Sequence, residues 1–481
     1  MASGDRPGSL QDFVGATPDL VDHFFNETLS PHVSGRRTKA PVPLEWSNWR
    51  DEQRAWRETA ILFDQSHHMP QMWVRGPDAF RFLNRIGVNS FSKFEPGKAK
   101  QFVGCSPSGH MIGECVIYYH EADAFELVSG MHFQNWIQFQ AETCGQDVRI
   151  ERDLATADNP GQRSKFRFGM DGPHAERVFR DVVEGAAPEI PFFNFRKVRI
   201  AGCDVVALRH GMAGHKGVEL SGRYEDAEIV RAALLAAGRK HGLRAGGTIA
   251  YFSTGAESGW IGYPVPAVFT DEAMRPYREW LAADSWEVRV QLGGSYRAAS
   301  IADYYVTPWD MGYDRLVNFD HDFIGREALQ RMAGEKRRTA VSLVWNKDDL
   351  EGIFRSAFEP GLPAKQINYP IAHYAFQHHD MVQNGRGEMI GVSVYSAYSV
   401  NEREMIALAI LDRDHAEPGT EVTLIWGEPD GGSRKPQVER HRQAAVRAVV
   451  APKPYARTVQ ELKLATIDRS ADGGRALASG R

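Results

Sequence analysis

A strand, a Gly-Pro turn and a helix recur in this chain. Val74-Arg75-Gly76-Pro77-Asp78-Ala79 and Met170-Asp171-Gly172-Pro173-His174-Ala175 share that layout, each closing an apolar run and opening a helical one. Such a diverged internal repeat predicts two similar half-sheets that face each other across a cleft. The length of 481 residues agrees, because it exceeds what one hydrophobic core fills.

The pattern along the chain sets the expected divisions. Residues 1–40, rich in Gly, Pro and Ser, read as an N-terminal arm with one helical stretch from Pro18 to Thr28. Residues 41–160 read as a first α+β unit, and 161–335 as a second with its connecting segment. Short β runs from Thr339 onward predict a separate barrel or jelly-roll over 336–455, and 456–481 lose periodicity and read as a mobile tail. The expected class is therefore α+β.

A net charge of −5 gives no reason to expect nucleic-acid binding. No apolar run is long enough for a membrane span, and no secretory leader is visible, so the cytoplasm is the expected compartment. Cys105, Cys115, Cys144 and Cys203 lack the spacing of a disulfide framework or a zinc site, and His67-His68 and His378-His379 are adjacent pairs that form no two-ligand clamp. No metal and no obligate protein partner are expected.

The richest stretch runs from Leu208 to Trp260. Arg209-His210-Gly211-Met212-Ala213-Gly214 joins two short β runs, so backbone there can approach a ligand closely. Glu219, between Val218 and Leu220, is either a ligand-binding acid or a strand-edge carboxylate in water or paired with Arg209. Gln65, His67 and His68 follow the buried run Ala60-Ile61-Leu62-Phe63, where polar groups face an opening; a satisfied core or turn histidine is the alternative. Ser30-Pro31-His32-Val33 ends the arm, either folding back over a site or forming a surface turn.

Several stretches together resemble the glycine-cleavage aminomethyltransferase (T-protein) family over about residues 40–455: Arg75-Gly76-Pro77-Asp78-Ala79, Gly217-Val218-Glu219-Leu220, Phe323-Ile324-Gly325-Arg326-Glu327-Ala328-Leu329, and Ile406-Ala407-Leu408-Ala409. Phe63-Asp64-Gln65-Ser66-His67-His68-Met69, Ala99-Lys100-Gln101, the Arg209 stretch and Glu257-Ser258-Gly259-Trp260 are most similar to its tetrahydrofolate-dependent aryl O-demethylases of lignin-aromatic catabolism, which act on vanillate or syringate. The resemblance implies a three-domain fold, two related half-sheet domains around a central folate channel plus a C-terminal β domain. It also implies tetrahydrofolate as co-substrate, held by Glu219, Trp260, Gln101 and Arg209, with Tyr251, His67 and His68 facing the aryl ether. A phenol near the leaving group's pKa makes Tyr251 a sensible proton donor, and its alternative is a core tyrosine packed near Phe252.

One departure bears on the substrate. The vanillate-type pattern carries an Arg a few residues before an Asn-Trp pair, whereas Val128-Ser129-Gly130-Met131-His132-Phe133-Gln134-Asn135-Trp136 has none. His132, Arg289 or Arg297 then meets the substrate carboxylate, with His32 and Gln65 nearby, or the substrate differs; surface salt bridges are the alternative for both arginines. Syringate is favoured over vanillate. Another folate-dependent methyl or aminomethyl transferase and a non-catalytic folate-binding protein remain as rival readings.

Overall fold

The computed structural model describes residues 8–28, 42–159, 161–262, 264–335, 337–372, 375–457 and 459–461. His32 and the tail from 462 onward lie outside the described residues. Within the arm, α1 (Leu10–Ala16) starts at a capping box made by Ser9 and Asp12, and α2 (Leu20–Asn26) follows. Leu10 and Phe24 are fully buried, so this part of the arm belongs to a core.

Asn48 caps α3 (Trp49–Glu58), which leads into β1 (Ala60–Asp64). Next come β2 (Gln71–Arg75), α4 (Ala79–Ile86), β3 (Ala99–Cys105), β4 (Met111–Glu121), β5 (Ala124–Ser129), α5 (Met131–Thr143) and β6 (Arg149–Asp153). Strands β2 to β6 form an antiparallel sheet in the order β3-β4-β5-β2-β6. Cys115, Ile117 and Tyr119 alternate into a core with Phe82 and Leu83 of α4 and Phe133 and Ile137 of α5. Glu114 and Tyr118 therefore project from the opposite face.

The second block holds β7 (Lys165–Asp171), α6 (Ala175–Val182), β8 (Phe195–Ile200), β9 (Cys203–Arg209), β10 (Val218–Arg223), α7 (Ala227–Gly238) and β11 (Leu243–Gly246). Its sheet runs β11-β1-β7-β10-β9-β8. Although β1 lies before residue 160, it pairs antiparallel with β7 and parallel with β11, so the two sheets interleave along the chain. Leu62, Phe168 and Leu220 pack under α6 and α7, and Phe63, Arg167, Gly169 and Glu219 face the other way. The repeat is visible at β2–α4 and β7–α6. Its Gly76 and Gly172 have φ of 129° and 112°, and a Cβ at either would strike the carbonyl of Asp147 or Thr59.

Two short helices, α8 (Thr248–Ser253) and α9 (Gly255–Ser258), then α10 (Arg275–Trp280) and a two-residue strand β12 (Leu292–Gly293), lead to α11 (Arg326–Met332) and the last domain. There β13 (Arg338–Trp345), α12 (Lys347–Ser356), β14 (Gln377–His378), β15 (Asp380–Gln383), β16 (Met389–Ser399), β17 (Glu404–Asp412), β18 (Glu421–Trp426) and β19 (Ala444–Ala451) follow in order. The barrel closes as β13-β17-β16-β15-β18-β19, while β14 pairs with β12. Of the expected barrel or jelly-roll, the barrel is what forms.

A buried ion pair braces the barrel against β12. Lys365 Nζ lies 2.6 Å from Glu428 Oε1, and the backbone N–H of Gly294 donates to the same oxygen at 3.1 Å. Burial alone would raise the Glu428 carboxyl, but Lys365 and His378 outweigh it and hold its pKa down to about 2. A depressed carboxyl stabilises the fold above its unfolded pKa, and that contribution is lost as pH falls toward about 2. Glu428→Gln is expected to cost roughly 3 kcal/mol at pH 7, since it leaves Lys365 buried beside a neutral amide. Urea unfolding should show a shallower loss of stability between pH 5 and pH 3 in the variant than in the parent.

Candidate active site

The inward face of the mixed sheet carries a row of five residues: Gly246, Phe63, Gly169, Glu219 and Leu208, opposite one another across β11, β1, β7, β10 and β9. Two glycines flank Phe63, and its ring lies over Gly246. A Cβ at Gly169 would come within 3.0 Å of Gln65 Nε2, so the hollow between Phe63 and Glu219 needs the missing side chain.

On the Phe63 side, an aromatic pocket is lined by Phe63, Asp64, His67, His68, Thr248 and Tyr251. The Tyr251 ring meets His68 edge-on at 4.9 Å between centroids and Phe63 at 5.2 Å. His68 Nε2 is buried with no hydrogen-bond partner among the described residues, and so is Gln65 Oε1. Burial, with smaller contributions from His67 and Arg163, pushes the His68 pKa down to about 4, which leaves a neutral imidazole at pH 7. His67 turns toward the wall instead: its Nδ1 is 2.9 Å from Thr156 Oγ1. Burial lowers its pKa too, against the pull of Asp64.

On the other side of Gly169 the two sheets are tied by buried charges. Arg167 donates to Glu219 Oε1, to Glu126 Oε1 at 3.1 Å and to the Tyr118 hydroxyl at 2.8 Å. Glu126 also takes His120 at 3.0 Å and Lys165 at 3.1 Å. Arg167, and not Arg209, is thus the partner of Glu219. Arg209 is adjacent to Leu208 and so projects to the opposite face, where it lies 3.7 Å from Glu176 of α6 and donates to the Lys216 carbonyl at 3.2 Å. The expected folate contact from Arg209 is not supported by this placement. Glu219 Oε2 has His210 Nδ1 at 3.9 Å, which leaves that oxygen for a ligand. Asp171 shares the face; burial pushes its carboxyl up to about 7, against the donated N–H groups of Met212 and Ala213.

A third cluster lies on the inward face of β4. Glu114 accepts from Trp260 Nε1 at 2.9 Å, from the Tyr313 hydroxyl at 2.9 Å and from Gln101 Nε2. Burial raises the Glu114 carboxyl, and the Gln101, Tyr313 and Trp260 donors oppose the rise. Gln101 and Trp260 are therefore brought together through an acid that the sequence did not single out. Trp260 is 39% exposed while its indole nitrogen is held by Glu114.

The candidates for the substrate carboxylate do not converge on Tyr251. Arg289 pairs with Asp158 at 3.0 Å, and Arg297 pairs with Asp22 and lies over the Phe25 ring at 5.6 Å. His132 rests on Gly113 and Gly130, and burial pushes its pKa down to about 4, so it is no cation at neutral pH. Arg167, Tyr118, Glu126, Asp171, Glu114 and Tyr313 are the site residues that sequence reading missed. A charged residue inside an apolar strand, as at Arg167 between Phe166 and Phe168, was the available signal.

The GCVT N-terminal domain model matches residues 32–267. Syringate O-demethylase of Sphingobium sp. (strain NBRC 103272 / SYK-6) is 44% identical over 448 residues, covering 93% of this chain and 96% of that protein. The chain belongs to the aminomethyltransferase family. Sesamin methylene transferase of Sinomonas sp. (strain No.22) is a more distant member, 30% identical over 407 residues, 81% of this chain and 86% of that one. In fold, the chain resembles the crystal structure of glycine cleavage system aminomethyltransferase T from Bartonella henselae, with a TM-score of 0.59 at 16% identity over 88% of this chain and 94% of that one. Tetrahydrofolate is its co-substrate. Glu219 Oε2, with His210 only at 3.9 Å, suits a pterin, which offers adjacent N–H donors.

Proposed function

We propose that this aminomethyltransferase-family enzyme moves the methyl group of a methoxylated aromatic acid, syringate before vanillate, to N5 of tetrahydrofolate. The observation that carries this reading is the unpartnered His68 Nε2 lining an aromatic pocket beside Tyr251, one glycine away from Glu219. The pocket offers aromatic walls and neutral polar atoms for a methoxyarene. Glu219, on the far side of Gly169, and Trp260, bonded to Glu114, support a pterin.

In the reaction the O–CH3 bond of the aryl ether breaks as the N5–CH3 bond forms, so nothing is oxidised. The proton leaves N5 and the phenolate gains one. Tyr251 is the donor to that oxygen, because a phenol exchanges a proton with a phenol without a large pKa mismatch. Neutral His68 and Gln65 orient the ring, and alignment of donor and acceptor supplies the rest of the barrier lowering. The product is a catechol-type acid with 5-methyltetrahydrofolate. We place the reaction in the cytoplasm, in accord with four unpaired cysteines and with no helix among the described residues long and apolar enough to cross a membrane.

Turnover of syringate should proceed without oxygen and stop without tetrahydrofolate; oxygen dependence would refute methyl transfer. Glu219→Gln is expected to weaken tetrahydrofolate binding by about tenfold by calorimetry, because an amide accepts poorly from two N–H donors and also disturbs Arg167. At saturating folate the variant should keep most of its turnover.

A further inference from the structure

We propose that Glu52 is a positioning residue for Tyr251, an inference that rests on the proton-donor reading above. Tyr251 sits on α8, a helix of only six residues, too short to hold its own orientation. Its N-terminal N–H groups find their acceptors elsewhere in the chain. Glu52, fully buried on α3, accepts from the Gly247 N–H through Oε2 at 2.8 Å. The carbonyls of Pro43 and Leu44 accept from Thr248 and Ile249 at 3.1 Å each. The other Glu52 oxygen accepts from the N–H groups of Trp46 and Ser47, both at 2.8 Å. One carboxylate therefore ties α8 to the segment 42–47, and Val42 of that segment lines the aromatic pocket. A Cβ at Gly247 would strike the Leu44 carbonyl, so the contact is as close as backbone allows.

The next residue on α3 holds the other end. Gln53 Nε2 donates to Ser253 Oγ at 2.6 Å, and Gln53 Oε1 accepts from Val400 of the barrel at 2.8 Å. Tyr251 lies between these two grips, so its hydroxyl is placed by α3. Losing one grip shifts the hydroxyl without removing it.

The test is a double-mutant cycle on single-turnover methyl transfer from syringate. Glu52→Gln is expected to slow transfer about thirtyfold, the scale of a small misplacement, with tetrahydrofolate affinity within about twofold of the parent. In a Tyr251→Phe background the same change should cost less than about twofold, because there is no hydroxyl left to place. Equal losses in both backgrounds, or a parallel fall in folate affinity, would overturn the inference while leaving the Tyr251 reading intact. Full turnover by Tyr251→Phe alone would overturn both. If Glu52→Gln does not accumulate as folded protein, Glu52→Asp, which keeps the charge but withdraws the carboxylate from the Gly247 N–H, should show the same coupling with a loss of about tenfold, and no coupling there would overturn the inference.

Discussion

Replacing Tyr251 with phenylalanine is expected to slow methyl transfer by about a hundredfold to ten-thousandfold, the range for loss of a positioned proton donor. Tetrahydrofolate affinity should stay within about twofold, because Glu219 lies across Gly169 from Phe63 and the pocket, and Trp260 is held at Glu114 of the other sheet. The ring contacts to His68 and Phe63 survive in phenylalanine, so the pocket keeps its walls. Rapid-quench measurement of 5-methyltetrahydrofolate formation, with calorimetric folate binding beside it, separates the two quantities. Equal losses in both would mean that Tyr251 shapes the folate site and does not move a proton.

Arg167→Met is expected to destabilise the protein by roughly 3–5 kcal/mol, the cost of removing one partner from a buried ion network. Arg167 is 1% exposed and neutralises Glu219 and Glu126 together, one from each sheet. Methionine would leave both carboxylates facing each other without their shared cation, and it would remove the donor to the Tyr118 hydroxyl as well. Arg297→Met is the contrast, since its pair with Asp22 lies at the surface and should be worth about 1 kcal/mol or less. Guanidinium unfolding of the two variants at pH 7 measures the difference. Similar midpoints would show that the two sheets are held by apolar packing alone.

The half-sheets were legible because a Gly-Pro turn at a positive φ has few substitutes, and both copies stand in the chain at Gly76 and Gly172. The barrel was legible from short alternating strands. What escaped was pairing between distant segments: β1 reads as the start of the first unit, yet its neighbours β7 and β11 come more than a hundred residues later. The site shows the same limit. Tyr251, His68 and Glu219 stood out by type and position, and they do come to one face region. Arg209 lies away from that region for a reason of parity, since a strand residue next to Leu208 must point away from the face that Leu208 shares with Glu219. Arg289 and Arg297 take the salt-bridge alternative, with acidic partners, Asp158 and Asp22, that are far away in sequence. Glu114 joins Gln101, Trp260 and Tyr313 from three separate stretches, which no local pattern announces.

The most direct measurement is single-turnover mass spectrometry of the purified enzyme with tetrahydrofolate and an equimolar mixture of syringate, vanillate and their methoxy relatives. One demethylated aromatic, syringate's product first, should appear in step with 5-methyltetrahydrofolate and in equal amount. Folate that stays unmethylated while the enzyme retains it, with every methoxyarene intact, would contradict methyl transfer from an aryl ether.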